Sequence, residues 1–118
     1  MSFRVDHVQL PASIGGLRQA RHFYNELIGL PEVRDDDTAH PETLRFSLGH
    51  QWLHVTEGHY LGVAPNAHLA LQTDDLSAIQ QRLRDARVPI ERQRLDRGEA
   101  ILVEDPFGNR LELIGRSH

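Results

Sequence analysis

An α+β fold built of two tandem modules in one domain is predicted by three observations on this 118-residue chain. First, the segment at 6–10, DHVQL, returns at 67–71 as AHLAL, a short alternating strand with histidine second. Second, each copy leads through a helical stretch to a prolyl turn, Gly29-Leu30-Pro31-Glu32-Val33 and then Arg87-Val88-Pro89-Ile90-Glu91. Third, each copy closes on an alternating strand in matched register: Pro31 stands 23 positions before His54, and Pro89 stands 23 before Glu112. The first interval, His7 to Pro31, is 24 positions against 21 for His68 to Pro89, and the Gly15-Gly16 loop absorbs the excess. Module one is expected over about 1–58, a linker over about 59–66 and module two over about 67–118.

Taken in order, strand 3–10 alternates apolar and polar residues and ends in a Pro-Ala-Ser-Ile-Gly-Gly loop. A helix over about 16–28 follows from Leu17, Ala20, Tyr24, Leu27 and Ile28 at helical spacing. Asp35-Asp36-Asp37 has the composition of a solvated loop. Strands near 43–48 and 51–57 flank a turn at Gly49, and the Gly-rich stretch closing with Pro65-Asn66 is the linker. Module two opens with strand 67–72. Thr73-Asp74-Asp75 then signals the start of a helix to about 87, with Leu76, Ile79, Leu83 and Ala86 as its stripe. Strands near 90–94, 99–104 and 109–114 complete it, the last two joined by Asp105-Pro106-Phe107-Gly108-Asn109, where Pro presets φ and Gly tolerates positive φ.

Composition narrows the chemistry. There is no cysteine, and all 13 basic residues are arginine. That excludes disulfides, thiolate nucleophiles, Cys-ligated zinc, Schiff bases and phosphate-loop lysines. Eight histidines and 17 acidic residues remain, a palette for oxygen/nitrogen metal sites and acid–base work. A net charge of -4 argues against a nucleic-acid partner. No apolar run approaches a membrane span and no signal-peptide region opens the chain, so the expected location is the cytoplasm.

Strand parity then sorts the polar residues. Val8 and Leu10 oppose His7 and Gln9; Leu69 and Leu71 oppose His68, Ala70 and Gln72. Leu53 and Val55 oppose Trp52, His54 and Thr56; Leu111 and Leu113 oppose Arg110, Glu112 and Ile114. The aliphatic faces can each cover a helix, leaving His7, His54, His68 and Glu112 at equivalent positions on the other face. A His/His/Glu set with open positions suits Fe(II), Mn, Ni, Co or Zn, and His54 either completes it or walls the pocket.

The segments DHVQL, ARHFYNELIGLPEV, HLALQTDDL and DPFGNRLELI resemble the vicinal oxygen chelate superfamily, the glyoxalase, bleomycin-resistance and extradiol dioxygenase-like group, and they span nearly the whole chain. The resemblance implies two βαβββ modules forming a curved mixed sheet around a metal-binding cleft, and a homodimer. By position it implies His7, His68 and Glu112 as ligands of a divalent metal ion, with His54 at the fourth position, where glyoxalases usually carry glutamate. It also implies a lyase, isomerase or dioxygenase whose metal binds vicinal oxygens of a small metabolite and stabilises developing negative charge. Glu112, and His54 if it is not a ligand, are then the acid–base residues. Gln9, Trp52, Thr56, Gln72 and Arg110 share the pocket face, with Arg110 either an anion clamp or a cross-strand ion pair. The alternative is a metal-free protein that sequesters a drug-like or aromatic ligand, as bleomycin-resistance relatives do. His22 is read as a surface or packing residue, His40, His50 and His59 as loop residues, and His118 as terminal.

Overall fold

Each closing strand carries one row of aliphatic side chains, and each module's core forms where a helix covers that row. The computed structural model describes residues 1–34, 40–96 and 98–116; Asp35-Asp36-Asp37 and His118 lie outside the described residues. The architecture is α+β, with mixed sheets of three and four strands. The chain divides into two compact units, Met1–Leu61 and Gly62–His118.

Module one runs β1 (His7–Ala12), α1 (Leu17–Arg21), a π-helical continuation (His22–Ile28), β2 (Thr43–Ser47) and β3 (Trp52–Glu57). The sheet order is β1-β3-β2, with β1 parallel and β2 antiparallel to the central β3. Leu53 and Val55 on β3, Phe46 on β2, and Ala20 and Tyr24 on the helix are fully buried. The rings of Tyr24 and Phe46 meet at 5.7 Å.

Module two runs β4 (Leu69–Thr73), α2 (Leu76–Asp85), β5 (Ile90–Leu95), β6 (Gly98–Glu104) and β7 (Arg110–Gly115) in the order β4-β7-β6-β5. Again the first strand lies parallel to the last. Leu76, Ile79 and Leu83 form the buried stripe of α2, and Ile101, Val103, Leu111 and Leu113 line the sheet. Both helices end on a left-handed residue two positions before the proline, Gly29 (φ +94°) and Arg87 (φ +60°). Glycine adopts that conformation freely, whereas arginine does so at a cost.

The connector between β6 and β7 is organised by Asp105. Its Oδ1 accepts the backbone N–H of Phe107 (2.9 Å) and Asn109 (2.8 Å), and its Oδ2 accepts from Asn109 Nδ2 (2.7 Å). Asp105 and Asn109 are both buried, so the turn is a folded plug and not a solvated hairpin end.

Five details depart from the expectations. Residues 3–6 are not a strand: β1 pairs only with β3, which begins at Trp52 opposite His7, so the chain before His7 meets the ladder only where the Asp6 carbonyl accepts Trp52 N–H at 3.2 Å. Phe3 and Val5 are accordingly exposed. At the other end β1 continues through Pro11, which an edge strand tolerates. The implied βαβββ pattern is abbreviated in module one, where the third ladder shrinks to a Glu32–Phe46 bridge flanked by Val33 N–H to Arg45 O and Ser47 N–H to Pro31 O, both 2.8 Å. Finally, Ile114 is buried although its parity is that of Glu112, and His68 stands one residue before β4. No described helix is long and apolar enough to cross a membrane.

Candidate metal and substrate site

The strand registers bring the expected donors together in pairs, one in each module. In module one, Gln9, His54 and Arg45 lie in one row across β1, β3 and β2, and His7, Trp52 and Ser47 in the next. Residues opposite one another in a sheet share a face. The imidazoles of His7 and His54 stack at 4.4 Å with 18° between their planes. Thr56 shares that face and bonds Thr43, Oγ1 to Oγ1 at 2.9 Å. In module two, Glu112 lies opposite Ala70, and His68 Nε2 stands 3.5 Å from Glu112 Oε2. Gln72 sits farther along, opposite Ile114.

Both first-strand histidines have Nδ1 against an oxygen: His7 against Asp6 Oδ2 at 2.8 Å and His68 against the backbone O of Asn66 at 3.2 Å. An acceptor at Nδ1 requires the N–H there, so each neutral ring keeps its lone pair on Nε2. Metal-ligating histidines are held in this way by a carboxylate or carbonyl. The 3.5 Å between His68 Nε2 and Glu112 Oε2 is close to the edge, about 3.4 Å, of a tetrahedron of ligands at about 2.1 Å from zinc. In donor chemistry and tautomer the residues therefore fit a divalent first-row ion. Among the described residues, no three His, Asp or Glu side chains gather as a metal-holding group; the four expected donors stand as two pairs.

His54 has its pKa lowered, first by burial and then by the charges of His7 and Arg45, against an opposing pull from Asp6. It is therefore held neutral near physiological pH, able to accept a proton or coordinate. Beside it opens a cavity of about 630 Å³ in module one, lined among others by Gln9, Glu32, Arg45, His54 and Thr56. At its wall Arg21 Nε donates to both oxygens of Glu32, at 2.9 and 3.1 Å. Burial raises the Glu32 pKa, but the hydrogen bond and charge of Arg21 more than offset it, leaving the carboxyl below its usual range.

Arg45 and the Arg21–Glu32 pair were not among the expected site residues. Parity on β2, with Leu44 and Phe46 buried, assigns Arg45 to the open face once β2 is laid against β3. Nothing in the sequence pattern points to Asp6 as the partner of His7. Arg110 donates from Nη1 to the carbonyls of Ala64 (3.2 Å) and Ala67 (3.1 Å). Among the other described histidines, His22 bonds Glu26 one turn on, and His40 lies 3.6 Å from Glu42. His50 and His59 are exposed.

The family model described as Glyoxalase/Bleomycin resistance protein/Dioxygenase superfamily matches residues 4–113. A solved structure of a protein assigned to the glyoxalase family, from Bacillus anthracis, is 27% identical, with 99% of this chain and 98% of that one aligned at a TM-score of 0.85. A lactoylglutathione lyase from Agrobacterium tumefaciens is 20% identical over 98% of this chain and 95% of that one, at 0.73. The antibiotic binding protein TnmS3 from Streptomyces sp. CB03234 is 24% identical over 98% of both chains, at 0.76. No curated protein sequence matches the chain.

Proposed function

The chain belongs to the Glyoxalase/Bleomycin resistance protein/Dioxygenase superfamily, and on that premise we propose that it is a metal-dependent enzyme acting on a small metabolite with vicinal oxygens. One observation carries this reading. At the same two positions of both modules stand neighbouring donors, His7 with His54 and His68 with Glu112, and both first-strand histidines have Nδ1 engaged and Nε2 available. His7, His68 and Glu112 would hold the ion, with His54 as fourth ligand or proton acceptor. When bound, the ion supplies Lewis-acid polarisation of the substrate oxygens.

The chain's own residues do the rest. Glu112, partly screened from water beside His68, is the base placed to take a proton from substrate carbon or oxygen. His54, held neutral by burial and by the charges of His7 and Arg45, is the second group able to take a proton at neutral pH. Gln9 and Thr56 present hydrogen-bonding groups to the module-one cavity. The enzyme is read as a cytoplasmic homodimer. Metal analysis of protein purified without a chelating tag, repeated on His68→Ala and Glu112→Ala, tests the reading. Stoichiometric metal in the wild type and its loss in both variants is expected; wild type that refuses added Fe, Mn, Ni, Co and Zn would overturn it.

A second reading is a metal-free protein that sequesters a drug-like or aromatic ligand. The cavity of about 630 Å³ has room for such a ligand, since small-molecule pockets run to roughly 300–1,000 Å³, and it lies within module one, where it needs no metal. Ligand binding that survives both EDTA and the double substitution His7→Ala/His68→Ala would select it over the first.

A further inference from the structure

We propose that Arg110 is a positioning residue for His68, acting through the turn at 64–67 and not by touching substrate. The inference rests on the reading of His68 as a metal ligand only for its consequence; its geometry stands within module two.

The ladder between β4 and β7 begins at Leu69 opposite Leu111, so the sheet does not hold the backbone of His68. What precedes it is a tight turn closed by Ala67 N–H to Ala64 O at 3.1 Å, with Pro65 and then Asn66 at φ +66°. Proline followed by a positive-φ residue is the arrangement of a type II turn. Asn66 supplies the carbonyl that engages His68 Nδ1. An exposed turn of four residues with one internal bond would frequently open, releasing that carbonyl. Arg110 prevents this: the two hydrogens of Nη1 reach the carbonyls at both ends of the turn, Ala64 and Ala67. Both bonds have a charged donor and are stronger than neutral ones.

Arg110 stands two residues before Glu112 on β7 and so on the same face. One strand thus carries the carboxylate that His68 faces and the clamp that fixes how His68 faces it. The comparison with module one supports the assignment. There His7 lies inside its ladder opposite Trp52, and Asp6 holds its Nδ1, so no clamp is required; the position equivalent to Arg110 is Trp52 itself.

The test uses the metal-free full chain with Arg110→Met, which keeps the aliphatic stem and loses the donors, and Arg110→Lys, which restores a charged donor. Long-range 1H–15N spectra of His68, assigned by its loss in His68→Asn and recorded where imidazole is neutral, report which nitrogen carries the proton. The wild type and Arg110→Lys are expected to hold the proton on Nδ1, while Arg110→Met mixes the tautomers. A purely structural role would lower stability and leave the tautomer unmoved; that result overturns the proposal. Co(II) binding, followed by its absorption, provides the second arm. Arg110→Met is expected to weaken it by about 10-fold, the low end for losing an outer-sphere partner, and Arg110→Lys to recover most of it. Equal affinity in wild type and Arg110→Met also overturns the proposal. Wild type that binds no Co(II) refutes the ligand reading alone, and the tautomer arm then decides the role of Arg110.

Discussion

Replacing Asp105 with alanine is expected to cost module two most of its stability. The substitution deletes the acceptor of three hydrogen bonds, to the backbone of Phe107 and Asn109 and to the side chain of Asn109. Phe107 is 8% and Asn109 2% exposed, so water does not replace the lost oxygens. A buried donor left unpaired costs about 1–3 kcal/mol, and two backbone donors together with the charge-assisted amide bond give roughly 3–6 kcal/mol. Set against a whole-domain stability of about 5–15 kcal/mol, that loss is severe. Urea unfolding followed by far-UV circular dichroism is the assay, because the single tryptophan, Trp52, lies in module one. With a slope of about 2 kcal/mol per molar urea, the midpoint should fall by roughly 1.5–3 M. Asp105→Asn provides the contrast. Its remaining oxygen can still accept both backbone N–H groups, and Asn109 can rotate its amide to present an oxygen to the new NH2, for a cost of about 1–2 kcal/mol. A loss below about 1 kcal/mol for alanine, or equal losses for alanine and asparagine, would refute the account of this turn.

Four further outcomes are expected. Because His54 has a folded-state pKa below its ordinary 6.5, the unfolded chain binds the proton more readily; stability should fall as pH drops below that value, and His54→Gln should flatten this acid limb in urea titrations. Imidazole NMR should place the His54 midpoint below that of a free histidine, and Arg45→Met should raise it by removing one of the opposing charges. Phe46→Ala should destabilise the protein by about 3–5 kcal/mol in chemical unfolding, since the ring is fully buried against Tyr24. Arg87→Gly should raise the melting temperature, corresponding to about 0.5–1 kcal/mol, by relieving a left-handed arginine at the position where the first helix already uses Gly29.

The fold was legible where an element declares itself by period. Leu53 and Val55, Leu111 and Leu113, and Leu76, Ile79 and Leu83 of α2 lie on the faces that parity and helical spacing assign, whereas Ala86, expected in the same stripe, falls past the helix end at Asp85 and is exposed. The duplicated order and the equivalence of His54 with Glu112 needed only counting. What escaped depended on partners distant in sequence. Phe3 and Val5 alternate like a strand, yet β3 offers them no edge. The helix keeps its apolar rhythm past Arg21, so the shift to π geometry over His22–Ile28 leaves no mark on the pattern. Parity sets Ile114 beside Glu112, but packing covers both faces of β7 at that end. In the site, residue types and faces were readable, whereas the bonds that orient them were not. Asp6 on His7, Asn66 on His68 and Arg110 on the turn are contacts that only the assembled strands create.

In both modules the first strand pairs with the last, His7 meeting Trp52 and Leu69 meeting Leu111, each more than 40 positions downstream. Such a closure has a kinetic meaning. The entropy of a long loop must be spent before the parallel ladder rewards it, which places the joining of β1 to β3 and of β4 to β7 among the slow, non-local events of folding. On the ribosome, β1 waits unpaired until β3 has emerged, while α1 and the β2–β3 hairpin can already form from neighbouring sequence. The pair His7–His54 cannot exist before that moment, nor His68–Glu112 before β4 meets β7, so on the proposed reading a metal ion would find its donors only after each module's chain has come full circle, and would not serve as an early template.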